Sequence, residues 1–161
     1  MKPSLANGNA GFVSALNPNG TALLWSSLIT SAEVADVAVD PAGHVYLVGR
    51  TSGGSDAFLA GISENGNKLS YTLPLLKGDP RAVAVTRGGT PIIISGQRIS
   101  SDSGSENFVM AVDACTRRVI GSDASPVNET EAGLEVSRRL ALDAFAEVLS
   151  SEHTNACGTA P

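Results

Sequence analysis

Apolar residues come along this chain in short, nearly unbroken runs. Phe12-Val13-Ser14-Ala15-Leu16, Leu23 to Ile29, Val37-Ala38-Val39, Val45-Tyr46-Leu47-Val48 and Ile92-Ile93-Ile94 are the clearest. A sheet with one wet face would alternate polar and apolar side chains, whereas continuous short runs predict strands buried on both faces. Turn residues separate the runs. Asn17-Pro18-Asn19-Gly20 supplies the positive φ of a tight hairpin, and in Asp40-Pro41-Ala42-Gly43 the proline presets φ while the aspartate can bond the backbone ahead of it. Between Ile29 and Val37 the pattern predicts a loop.

The pattern recurs. Gly8-Asn9-Ala10-Gly11-Phe12 parallels Gly54-Ser55-Asp56-Ala57-Phe58 and Gly104-Ser105-Glu106-Asn107-Phe108, with the phenylalanines 46 and then 50 residues apart. The first two copies stay in register for some thirty residues. Asn19-Gly20 matches Asn65-Gly66, Trp25 matches Tyr71, Val37-Ala38-Val39 matches Val83-Ala84-Val85, and Gly43 matches Gly89; one inserted residue then sets Gly49 opposite Gly96. Four short strands in a unit of about 45 residues, each unit stacked on its neighbours, describe a propeller blade.

The lead-in Asp56-Ala57-Phe58, the Asn-Gly turn and the run Val37-Ala38-Val39-Asp40-Pro41-Ala42-Gly43-His44-Val45-Tyr46-Leu47-Val48-Gly49 resemble the bacterial beta-propeller repeat of the SBBP type. The resemblance spans roughly residues 8–120. The second copy departs at Thr86-Arg87 and Pro91, and the third offers Ala114-Cys115-Thr116 where the Asn-Gly turn should be. It implies a secreted or cell-surface scaffold or binding module, and it brings no catalytic motif.

The expected fold is therefore all-β: an incomplete beta-propeller of two to three four-stranded blades over residues 1–125, with blades at about 8–53, 54–103 and a partial one at 104–121. Such a stack does not close a ring, because propellers have about four to eight blades. The chain is then part of a larger propeller, or several copies complete a ring, or its C-terminal segment covers the open face. Residues 126–151 change character, with good helix formers, a capping-box spacing at Asn128 and Glu131, and an apolar stripe of Leu134, Ala141, Leu142, Phe145, Val148 and Leu149. They predict one amphipathic helix packed on the chain's own sheet, with a partner protein or a membrane surface as the alternative cover for its stripe, followed by a loose tail over 152–161.

Composition narrows the functional classes. Charged residues make up 17% and hydrophobic residues 42% of 161, which is a folded rather than a disordered composition. Sixteen acidic against 11 basic residues argue against a nucleic-acid partner. No run approaches the ~20 apolar residues of a membrane span, and the first residues lack the apolar core of a secretory signal. The protein is then cytoplasmic, or this stretch belongs to a longer exported chain. Cys115 and Cys157 lack metal-site or redox-pair spacing and read as unpaired thiols, with a single bridge the alternative in an oxidising compartment.

Candidate chemistry is sparse. His153 lies in the tail and His44 at a turn-to-strand junction; there is no nucleophile elbow, metalloprotease helix or phosphate loop. Neither a cofactor nor a metal is expected. Asn7, Asn9, Asp56, Asp102, Ser103 and Glu106 offer oxygen ligands in the lead-in loops, but without calcium-loop spacing they read as turn residues. Loops on a rigid scaffold carry binding, so Asn9, Asp56, Asp102 and Glu106 are the candidate binding residues, presented at one end of the stack to a protein or glycan partner. The expected function is a non-enzymatic scaffold or binding module, part of a larger or homo-oligomeric propeller. Its rivals are a carbohydrate-active hydrolase or lyase using Asp40, Glu64, Asp79 or Asp113 across a cleft, and a truncated repeat protein with no function of its own.

Overall fold

A computed structural model describes residues 10–126 apart from 64, 67, 68, 87, 88, 90 and 101–103. The helix expected over 126–151 and the tail lie outside the described residues, save for Pro126. Within them the protein is all-β, with nine strands and no helix. The strands are β1 (Gly11–Leu16), β2 (Leu23–Ile29), β3 (Ala32–Val39), β4 (Val45–Thr51), β5 (Asp56–Ile62), β6 (Leu69–Val85), β7 (Ile92–Ser100), β8 (Gly104–Asp113) and β9 (Arg118–Pro126).

β1 and β2 form a two-stranded ribbon, and β3 to β9 follow as a consecutive antiparallel meander. β6 is 17 residues long and changes partner partway: Lys77 pairs with Asp56 of β5, whereas Gly78 pairs with Arg98 of β7. The meander therefore divides into two four-stranded layers that share β6. Tyr46, Val48 and Leu59 from the first layer pack with Val83, Ile92, Ile94, Phe108, Met110 and Val112 from the second. On its other side the first layer sets Val45, Leu47, Phe58, Ala60 and Ile62 against Val13, Ile29 and Trp25 of the ribbon. β4 and β5 are thus buried on both faces, which is why their sequences do not alternate. Leu47, Leu59, Ile92 and Ile94 are wholly buried, each worth about 1.5–3 kcal/mol of transfer free energy. The described sheets do not close into a ring.

Most irregularities in pairing fall at matched places. Register shifts occur at Val34/Asp36 and again at Pro80/Ala82, and at Ala15/Leu16, Gly61/Ile62 and Ala111/Val112; a further one at Asp56/Phe58 has no counterpart in the pairing of Glu106 to Phe108. Beside the first pair sit Gly49 and Gly96. A Cβ on Gly49 would drive into the Glu33 carbonyl, and one on Gly96 into the Asp79 carbonyl, so the close strand approach at each shift admits only glycine. Aromatic residues repeat the theme. Trp25 lies against Gly66 in the β5–β6 turn, and Arg117 in the β8–β9 turn stacks 4.5 Å from the Tyr71 ring centroid.

Phe12, Phe58 and Phe108 occupy β1, β5 and β8. The layers, however, begin at residues 32 and 78, so the sequence units 8–53 and 54–103 each cross from one sheet to the next. The loop expected between Ile29 and Val37 is only the Thr30-Ser31 turn, with Ser31 at φ 56°, and β3 begins at Ala32. Its polar first half is held by pairing to β4 and by Asp36, whose carboxylate accepts the Val83 N–H of the next layer at 2.9 Å. Cys115, read from the sequence as an unpaired thiol, is disulfide-bonded.

Candidate functional site

The strand termini make two chemically different rims. At the first, the turns after β3 and β8 are built around buried aspartates. Asp40 Oδ1 accepts the N–H groups of Ala42 and His44 at 2.9 and 2.8 Å, while Oδ2 takes His44 Nδ1 at 2.8 Å and the Tyr46 hydroxyl at 3.2 Å. Gly43, at φ 89°, closes the turn by donating to the Asp40 carbonyl. Asp113 Oδ1 likewise accepts from the backbone of Cys115 and Thr116 and from Thr116 Oγ1, and Arg117 at φ 57° takes the left-handed position. The β8–β9 turn, where the sequence has no Asn-Gly, is thus anchored by an aspartate.

These contacts set the electrostatics. Burial pushes the Asp40 carboxyl upward, but the His44 hydrogen bonds and charge and the Tyr46 hydroxyl outweigh it, leaving Asp40 below its ordinary 3.8. Tyr46 is raised by its burial and by the Asp40 charge beside it. Tyr71 is raised by burial too, with Arg117 pulling the other way, and its hydroxyl is buried with no hydrogen-bond partner among the described residues. A carboxylate this fully bonded is a turn anchor, and a general acid or base has to meet a substrate proton. Asp79 in turn pairs with Arg81 at 2.7 Å, and Glu64 lies outside the described residues.

The opposite rim carries the lead-in segments. Asp56 opens β5 opposite Lys77, the next residue Gly78 pairs with Arg98, and Arg98 pairs with Glu106. Asp56 and Glu106 therefore stand in one row across the two layers. Asp56 is exposed, whereas Glu106 is partly buried and its carboxylate accepts Arg98 Nε at 2.7 Å. Asn9 and Asp102 lie outside the described residues. The row continues into charges that sequence reading passed over. Glu33 is bonded by Arg50 at 2.7 Å, and the Glu33 hydrogen bond and charge, helped by Asp79, hold Arg50 above its ordinary value. Only the strand register brings these partners together; Glu33 and Arg50 are far apart in sequence, and no local motif marks them.

A third feature is a groove of about 580 Å³ between β2 and the β5–β6 turn, walled by Trp25, Ile29, Ile62 and Leu69 with Thr30 and Asn65 at its polar side. Ser27 Oγ donates to the Gly66 carbonyl across it. The described residues that line the groove offer apolar surface and hydrogen-bonding groups, and none of them is titratable. Among the described residues no group of three or more His, Cys, Asp or Glu side chains is placed to hold a metal ion. No described helix is long and apolar enough to cross a membrane. No protein-family model matches the chain, and no curated protein matches it.

Proposed function

We propose that this chain is a non-enzymatic binding module of propeller-type sheets, presenting the lead-in rim to a protein or glycan partner, and that it forms part of a larger or oligomeric assembly. One observation carries the reading. Two four-stranded layers with register shifts and glycines at matched positions are stacked face to face, and their buried carboxylates, Asp40 and Asp113, are spent on turns. Such a body is a rigid support for loops rather than a pocket with facing acids. The sequence resemblance to SBBP-type repeats points the same way. The disulfide at Cys115 favours an oxidising, extracellular setting.

The test is a pull-down against protein extracts and a glycan array, comparing the wild type with a pooled Asn9, Asp56, Asp102 and Glu106 to Ala variant of unchanged thermal stability. The expected result is a defined wild-type set of ligands that the variant loses. Equal retention by both proteins, or none by either, would remove the reading.

A further inference from the structure

The clearest unspent feature is the outward face of the β1–β2 ribbon. Phe12 and Leu28 are cross-strand partners there, Ser14 and Ser26 are the next pair on that face with their hydroxyls 2.8 Å apart, and beyond the register shift Leu16 stands opposite Leu23 with Leu24 beside it. Phe12, Leu16, Leu24 and Leu28 are 71%, 56%, 63% and 60% exposed. At the matched positions of β5 and β8, Phe58 and Ile62 face the ribbon, and Phe108 and Val112 face the first layer, all of them buried. Among the described residues the same strand face is therefore covered by a sheet twice and left open once.

We infer that this face is covered by the same face of a second copy of the chain, in a two-fold symmetric dimer. The inference rests on the reading of the chain as part of an assembly and names the surface. The pattern is close to palindromic: an apolar pair, a serine pair, an apolar pair. A half-turn about the serines lays Phe12 and Leu28 on the partner's Leu16 and Leu24, and hydroxyls on hydroxyls. That self-complementarity is what an isologous contact requires. The area suffices as well, since these side chains with Leu23 leave on the order of 500 Å² of apolar surface, and doubling it reaches the ~1,000 Å² of a specific interface.

Light scattering after size exclusion on the full chain should give twice the chain mass. Phe12→Ser with Leu28→Ser should return it to one chain mass while keeping a single cooperative unfolding transition, because both side chains are exposed within one chain. Ser14→Cys, at the symmetry axis, should give a disulfide-linked dimer joined between the two substituted positions, and nothing larger. A monomeric wild type, a ladder of trimers and higher species, or no bridge in Ser14→Cys would each overturn the inference; the ladder would mean head-to-tail stacking. Asp56 and Glu106 of the rim stand on β5 and β8, not on the ribbon. Loss of ligand binding in the rim variant with the dimer intact, or the reverse, thus separates the two ideas.

Discussion

The two rims of the stacked sheets use charge in opposite ways. At the rim of Asp40 and Asp113, carboxylates are buried and hold up to four donors each, so that the turn is made around the charge. At the lead-in rim, Glu33, Asp79 and Glu106 meet arginines near solvent, on strands whose course is already fixed by backbone pairing. The same residue types are structure at one end and surface at the other. Abundance of acids says little about function until the donors around each are known.

The contrast can be broken most forcefully through backbone beneath the lead-in rim. Gly49→Ala and Gly96→Ala place a methyl group on the Glu33 and Asp79 carbonyls, and each should cost about 3 kcal/mol or more, read as a lost or early urea transition. Unchanged midpoints would mean that the strands part there at little cost. Next come the anchors: Asp40→Ala and Asp113→Ala strand two or more donors and should each cost about 1–3 kcal/mol by thermal or urea unfolding.

Acid should reveal the same anchor more gently. Because the Asp40 carboxyl is held below its ordinary 3.8, its contribution is whole above that value and drains away as pH falls through the lower folded value. Urea midpoints at about pH 5 and about pH 3 should differ less for Asp40→Asn than for wild type. An equal acid loss in both would assign it to other groups. The smallest effect belongs to Arg50→Gln, whose half-exposed pair with Glu33 is screened by solvent and should leave the urea midpoint nearly where it is. A larger loss would show that the lead-in rim is as structural as its opposite.

Strands announced by unbroken apolar runs were legible in the sequence with little error. Leu23–Ile29 is a strand end to end, and β1 and β4 begin within a residue of where Phe12 and Val45 place them. The first half of β3 was not legible, since Ala32, Glu33, Ala35 and Asp36 have weak strand preference and are held by partners in β4 and in the next layer. Asp40 reads locally as a turn residue, but its burial under Tyr46 and His44 is a tertiary fact. For the candidate site, Asp56 and Glu106 were visible as lead-in residues. The arginines that frame them were not, because a cross-strand pair such as Glu33 with Arg50 exists only once the register is set.

The shared strand β6 has a further consequence, for how the body comes apart. Its first part is the edge of one layer and its second the edge of the other, within a single run of 17 residues. The two parts are joined by unbroken backbone, and the layers they belong to share one core, in which Tyr46, Val48 and Leu59 pack with Ile92, Ile94 and Phe108. A protease nick near Lys77 would release no stable half, and forced extension from either side would pass its load straight across the core between the layers. Melting is therefore expected to be one event for both, even though the chain reads as a succession of separate units.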